Sequence, residues 1–121
     1  MSELDCVCYL SGPSTGYPDC NYKAFAAAEA YLTHLGFEVV NPLELDEKPF
    51  DPQGKVNDEE WLKFIVRDIR LMAKADAIYQ LPGWERSFGA SVEFLVAKRL
   101  KLLIIRHSDW SFALEDGKEE L

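Results

Sequence analysis

A glutamate stands where a helix normally carries an apolar side chain, and it is the residue best suited to chemistry. Glu93 lies in the middle of the apolar arc of a predicted helix over residues 88–99. At about 100° per residue, the small or apolar side chains within roughly 60° of it are those of Gly89, Ala90, Val96, Ala97 and Leu100. Because an unpaired carboxylate is costly to remove from water, Glu93 needs either a partner or a function.

Asp68 repeats this pattern on the preceding predicted helix, at about residues 58–74. It lies at the edge of an apolar stripe made of Trp61, Leu62, Ile65, Ile69 and Met72. The charged residues predicted on the opposite, solvated face are Lys63, Arg67, Arg70 and Lys74. Each of the two carboxylates is either a catalytic group or a buried acid held by a backbone donor, an arginine or a helix end, and the pattern favours neither interpretation.

Length and charge limit the class of protein. The 121 residues, 48% of them hydrophobic, predict one domain over residues 1–121. The net charge of -8 and the lack of a long Lys/Arg run argue against duplex nucleic acid or an anionic membrane surface as the partner. No apolar run reaches the roughly 20 residues of a membrane span, and residues 1–5 do not resemble a signal peptide, so we expect a cytoplasmic protein.

Cysteine and histidine usage predicts neither a metal site nor a cofactor. The three cysteines, Cys6, Cys8 and Cys20, are odd in number and lack a CxxC spacing, so we expect buried thiols rather than disulfides or zinc ligands. His34 and His107 are far apart in sequence and have no metal-ligand spacing, which favours solvated or helix-capping roles.

Short apolar runs alternate with helical patterns along the chain. Strands are predicted at residues 6–10, 37–40, 77–81 and 101–105, and helices at residues 22–35, 58–74 and 88–99. Asn21 and Asn57 are predicted N-caps, and Gly36 ends the first helix. This alternation predicts an α/β fold with a small doubly wound, flavodoxin-like parallel sheet, strand order 2-1-3-4, and helices on both faces.

Two loops are expected to form a binding site, because ligands of such sheets bind where the strand order reverses, here between the first and third strands. The first loop offers backbone amides and hydroxyls for an anion or a sugar from Ser11, Gly12, Ser14, Thr15 and Gly16, although the same residues make a plain turn. The second loop, residues 81–89, offers Trp84 as a stacking surface, Ser87 near the helix start and Gly89 for close backbone approach.

The fold is expected to bring Tyr9, at the end of the first strand, together with Asp68 and Glu93. Two acids and a tyrosine hydroxyl around a small pocket suit the cleavage of a glycosidic bond. One carboxylate would attack the anomeric carbon, while another acid assists the leaving group.

Three stretches carry a family resemblance. They are Tyr-Leu-Ser-Gly-Pro at residues 9–13, Asp68 followed by Ala-Asp-Ala-Ile at residues 75–78, and Ser-Phe-Gly-Ala-Ser-Val-Glu at residues 87–93. They resemble the motifs of the nucleoside 2-deoxyribosyltransferase superfamily, which includes the deoxynucleoside 5'-monophosphate N-glycosidases, and most closely a compact branch often encoded by phages and prophages. The resemblance implies Glu93 as the nucleophile of a deoxyribosyl-enzyme, Tyr9 as the group that positions it, and Asp68 as the acid near the nucleobase.

The resemblance also implies a homodimer, with Ser87 and the first loop facing the sugar or its 5' end. The monophosphate hydrolases usually carry an arginine in the first loop, where this chain has Ser14, Thr15 and Gly16. The transferases complete their site with C-terminal residues of a neighbouring subunit, and residues 112–121 here show no matching motif.

We therefore expect an enzyme that breaks the N-glycosidic bond of a 2'-deoxynucleoside or its 5'-monophosphate and passes the sugar to water or to another nucleobase. Two other functions remain open. One is a non-catalytic nucleotide-binding or sensing module on the same fold. The other is a structural phage or accessory protein whose buried acids are satisfied core groups.

Overall fold

Strands and helices alternate in the computed structural model, which describes residues 6–14, 16–45 and 57–107. In chain order the elements are β1 (Val7–Ser11), α1 (Tyr22–His34), β2 (Glu38–Val40), α2 (Asp58–Met72), β3 (Ala77–Gln80), α3 (Phe88–Leu100) and β4 (Leu103–Arg106). Short 3-10 turns at Pro18–Asn21, Pro42–Leu45 and Trp84–Arg86 connect them. The prediction of alternating strands and helices is confirmed, and no boundary moves by more than two residues.

The described strands form one parallel sheet in the order β2-β1-β3-β4, as the sequence predicted. In the central pair, Tyr9 lies opposite Ile78 and Ser11 lies opposite Gln80. The chain runs from β1 outward to β2 and then returns to β3 on the other side. The strand order therefore reverses between β1 and β3, and the loops that follow these strands share one edge of the sheet.

Helices cover both faces of the sheet. On one face, α1 packs against β1 and β3 through a core that includes Phe25, Leu32, Cys8 and Tyr79. On the opposite face, residues of α2 and α3 join a second core, which comprises Tyr9, Met72, Ala75, Ile78 and Ala97. Because side chains alternate along a strand, Tyr9 and Ser11 both face α2 and α3.

The helix starts were predicted with mixed success. Asn57 caps α2 with a capping box, in which the Glu60 amide donates to the Asn57 side chain at 2.8 Å and the Asn57 amide donates to the Glu60 carboxylate at 3.3 Å. Asn21 precedes α1 as predicted, but its side chain makes no cap and instead donates to the Pro13 carbonyl at 2.9 Å. Gly36 follows α1 with a φ of 105°, which suits the predicted stop.

Several predictions fall outside the described residues. They concern Thr15, most of the connection between β2 and α2, and the acidic segment after Ser108. None of the helices in the described part of the chain is both long and apolar enough to span a membrane.

Candidate active site

A cavity of about 280 Å³ lies at the edge of the sheet where the strand order reverses. Its walls come mainly from the loops after β1 and β3, from α2 and from the first turns of α3, and are completed by residues of α1 and of the turns before α1 and after β2. Both predicted acids, Asp68 and Glu93, line it. The cavity therefore lies where ligands of open parallel sheets bind, beside the point at which the strand order reverses.

Glu93 is held from both sides by hydroxyl groups of β1. The residue is only 6% exposed. The Tyr9 hydroxyl donates to Oε2 at 2.7 Å, and the Ser11 hydroxyl donates to Oε1 at 2.6 Å. Tyr9 and Ser11 are two residues apart on one strand, so the strand spacing itself fixes both donors relative to α3. Each oxygen of the carboxylate thus has one short, charge-assisted hydrogen bond.

The electrostatic setting of Glu93 brings its ionisation close to neutral pH. Burial raises the pKa of Glu93 to about 7, and the negative charge of Asp68 acts in the same direction. The hydrogen bonds from Ser11 and Tyr9 and the charge of Arg67 oppose this shift. Burial, followed by the charge of Glu93, raises the pKa of Tyr9 well above its usual range, so Tyr9 remains a hydrogen-bond donor.

Asp68 is buried beside an arginine. The residue as a whole is 9% exposed, and the Nε and Nη2 atoms of Arg67 each lie 2.9 Å from its Oδ1. Arg67 Nη2 also donates to the Pro42 carbonyl at 3.2 Å. The prediction of Arg67 on the solvated face of α2 is wrong, because its long side chain turns back along Phe64 into the cavity wall. The adjacency of Arg67 and Asp68 in the sequence was the available signal.

The first loop contributes some of its predicted residues. Gly12 and Ser14 line the cavity, whereas Ser11 acts behind it through its bond to Glu93. A Cβ on Gly12 would lie 2.7 Å from the Leu81 Cβ, so glycine is required where the two loops meet. Gly16 does not line the cavity, and Thr15 lies outside the described residues.

The second loop also contributes only some of its predicted residues to the cavity. Ser87 and Gly89 line the cavity, and the Ser87 hydroxyl accepts from the Ala90 amide at 3.2 Å and so caps α3. Trp84, predicted as the stacking surface, does not line the cavity. Its ring packs against Phe94, with centroids 4.8 Å apart, and the Arg106 guanidinium lies 5.6 Å from the ring centre. Trp84 therefore holds the loop to α3 and β4.

A different aromatic pair forms a wall of the cavity. Trp61 of α2 and Phe88 of α3 stack with centroids 5.5 Å apart and an interplanar angle of 28°. Phe88 is 73% exposed, which is unusual for a phenylalanine. Sequence reasoning assigned Trp61 to the apolar stripe of α2 and gave Phe88 no role. Arg86 is a further cavity residue that the sequence did not single out.

Both histidines and two of the three cysteines lie outside the cavity wall. His34 is exposed in the last turn of α1, and His107 Nδ1 lies 2.7 Å from the Tyr79 hydroxyl. Cys8 is buried as predicted, but Cys6 and Cys20 are only partly buried, and Cys20 lines the cavity. Within residues 6–14, 16–45 and 57–107, no three His, Cys, Asp or Glu side chains form a group that could hold a metal ion.

Comparison with known protein families matches residues 6–106 to a family described as a domain of unknown function, DUF4406. The match extends from the start of β1 to the end of β4 and includes Tyr9, Asp68 and Glu93. No curated protein matches the chain.

Proposed function

The chain belongs to the DUF4406 family, and we propose that it cleaves the N-glycosidic bond of a 2'-deoxynucleoside or a deoxynucleoside 5'-monophosphate. The observation that carries this proposal is Glu93, a carboxylate in a cavity wall whose two oxygens are each fixed by a hydroxyl group. The resemblance to the nucleoside 2-deoxyribosyltransferase superfamily supports it. The three motif stretches that carry the resemblance also supply Tyr9, Asp68, Ser87 and Glu93, which meet at or beside the cavity.

The proposed reaction uses Glu93 as the nucleophile. Its carboxylate attacks the anomeric carbon, the bond to the base nitrogen breaks, and the sugar is held as an ester of Glu93. Water or another nucleobase then attacks the same carbon and releases Glu93. Tyr9 and Ser11 fix the direction of the carboxylate, and the pKa of about 7 makes its ionised form accessible at neutral pH. Asp68, the second carboxylate in the wall, is placed to give a proton to the departing base or to take one from the attacking water.

The lining of the cavity suits a flat, partly polar substrate. Trp61 and Phe88 offer an aromatic wall on which a base can stack. Ser14, Ser87 and Arg86 offer hydroxyl and guanidinium groups for the sugar or its 5' substituent. The cavity volume lies near the lower end for small-molecule sites.

A non-catalytic nucleotide-binding module is the second candidate. The observation in its favour is that the chain itself partners both carboxylates, Glu93 through two hydroxyls and Asp68 through Arg67. Such acids can remain buried without taking part in a reaction.

The decisive experiment compares wild type with Glu93→Ala and Glu93→Gln on a panel of deoxynucleosides and their 5'-monophosphates, with free base measured by chromatography. We expect both substitutions to slow base release by orders of magnitude and to leave ligand binding largely unchanged, because a nucleophile acts mainly in the transition state. Glu85→Gln, an exposed acid outside the cavity, is the matched control and should keep wild-type activity.

A 2-fluoro sugar analogue gives a second readout, because fluorine slows breakdown of the ester. We expect wild type to gain the mass of the fluorinated sugar, and peptide mapping to place it on Glu93. Full activity in Glu93→Ala, or an adduct on Glu85 or Asp68, would contradict the proposal. Tight nucleotide binding without base release from any substrate, in wild type and both variants, would favour the binding module.

A further inference from the structure

Arg67 and Asp68 form an ion pair inside the cavity wall. Two nitrogens of the guanidinium, Nε and Nη2, lie 2.9 Å from the same carboxylate oxygen. The pair is tied to the turn after β2, because Nη2 also reaches the Pro42 carbonyl at 3.2 Å. The side chains are 30% and 13% exposed, so water screens their attraction less than it would at an open surface. Such charge-assisted bonds stabilise the negative form of a carboxylate.

Other titratable or charged groups around Asp68 come from several elements. Glu93 reaches the cavity from α3, Tyr9 lies behind Glu93 on β1, Arg86 lines the cavity from the turn before α3, and Cys20 lines it from the turn before α1. The two carboxylates repel each other, which favours a proton on one of them. The guanidinium directly contacts Asp68, whereas Glu93 is bonded by uncharged hydroxyls. When one of the two carboxylates carries a proton, the contacts therefore favour Glu93 over Asp68 as its site.

We infer that Arg67 is a positioning residue that keeps Asp68 ionised through the first step of the reaction, so that Asp68 accepts a proton in the second step instead of donating one in the first. This inference rests on the proposed function. It reverses the direction of proton transfer that the family resemblance implied for Asp68.

The proposed hydrolysis has two steps. In the first, the bond between Glu93 and the anomeric carbon forms, the bond to the base nitrogen breaks, and its electron pair leaves with the base, which takes a proton from bulk water. In the second, water attacks the anomeric carbon, its proton passes to Asp68, and the ester electron pair returns to Glu93. Asp68 then releases the proton to solvent. The sum is hydrolysis of the nucleoside to free base and deoxyribose.

An ionised Asp68 in the first step predicts which class of substrate the site prefers. Because Asp68 is ionised during the first step and gives no proton to the departing nitrogen, bases that are stable as anions leave fastest. The site therefore favours deoxynucleosides of acidic bases, such as uracil and its 5-halogenated forms, over bases that must be protonated before they depart.

The kinetic test measures the first turnover and the later turnovers separately. The substrates are 2'-deoxyuridine, its 5-fluoro derivative and its 5-methyl derivative, each as the nucleoside and the 5'-monophosphate. For wild type we expect first-turnover rates in the order 5-fluoro, unsubstituted, 5-methyl. Asp68→Asn should still release about one base per chain in a burst. Its later turnovers should slow by about 10²-fold to 10⁴-fold. Loss of the burst in Asp68→Asn, most severe for the 5-methyl base, would overturn the inference and make Asp68 the acid.

A second test needs no activity. Carbon-13 NMR of labelled aspartate and glutamate side chains follows the two carboxylates during a pH titration. We expect Asp68 to stay ionised over the range in which Glu93 titrates, and Arg67→Gln to move the Asp68 titration to higher pH. Arg67→Lys, which keeps the charge, should move it less, and Arg70→Gln, an exposed arginine one turn away, should leave it unchanged.

The two tests separate the possible failures. If wild type releases no base from any substrate, the proposed function fails, and NMR still decides whether Arg67 holds Asp68 in its ionised form. If wild type is active but Asp68 and Glu93 titrate together, with no effect of Arg67→Gln, the inference is overturned and the proposed function stands.

Discussion

The proposed reaction depends on the ionisation of one side chain, Glu93. Burial raises its pKa to about 7, and attack on the anomeric carbon needs the ionised form. We therefore expect kcat/KM for base release to rise with pH and to level off above about 7. Rates measured between about pH 5 and pH 9 would locate this limb. Activity that is already maximal at the acid end of the range would show that Glu93 is not the ionising group.

The roles of the Ser11 and Tyr9 hydroxyls can be tested through the same rise of kcat/KM with pH, its acidic limb. Burial is the main cause that raises the pKa of Glu93, and the hydrogen bond from Ser11 opposes it more strongly than the one from Tyr9. Ser11→Ala and Tyr9→Phe should therefore both move the acidic limb to higher pH, with the larger shift in Ser11→Ala. Circular dichroism would confirm that each variant is folded. An unmoved limb in both variants would mean that the hydroxyls do not control this carboxylate.

Helical periodicity was enough to find the acids but not all of their neighbours. It placed Glu93 and Asp68 on inward-facing positions, because the period fixes the direction of each Cα–Cβ bond. The prediction placed Arg67 on the solvated face of α2, and this was wrong because a long side chain can fold back across its helix. Burial and hydrogen-bond partners depend on contacts between distant segments, which one sequence does not reveal.

At the scale of elements, the order of the sheet could be predicted because apolar runs alternate with amphipathic ones. The ends of the strands could not be placed to the residue, since the ladder between β1 and β3 decides where pairing stops. One consequence is functional: the predicted strand ended at Leu10, whereas β1 continues to Ser11, whose hydroxyl donates to Glu93. A residue assigned to the binding loop is thus a fixed part of the sheet.

Two tryptophans on different elements give an element-scale prediction. Trp61 of α2 lies in the cavity wall, whereas Trp84 packs between α3 and β4. Trp61→Ala should weaken binding of the substrate by about 1 to 3 kcal/mol through lost stacking. Trp84→Ala should instead lower the free energy of unfolding by about 1 to 3 kcal/mol. Calorimetric titration and urea unfolding of both variants would separate these effects, and the reverse pattern would return Trp84 to the binding surface.

For the whole molecule, the buried site is expected to reduce stability at neutral pH. The fold brings two carboxylates into one wall of a protein whose net charge is already -8. Arg67 offsets part of the repulsion at Asp68, but Glu93 relies on hydroxyl groups. A site arranged for reactivity commonly lowers the stability of its fold in this way.

This view predicts how stability changes with pH. The pKa of Glu93 is about 7 in the folded protein, against 4.5 for an ordinary glutamate, so between these values the folded state binds more protons than the unfolded state. The free energy of unfolding should therefore fall as pH rises from about 4.5 through about 7, by on the order of 3 kcal/mol from this residue. Urea unfolding at several pH values would measure the slope. Glu93→Gln should remove this component, while the exposed control Glu85→Gln should keep it. An identical slope in wild type and Glu93→Gln would mean that Glu93 has an ordinary pKa in the folded protein, and that its burial does not bring its ionisation into the neutral range.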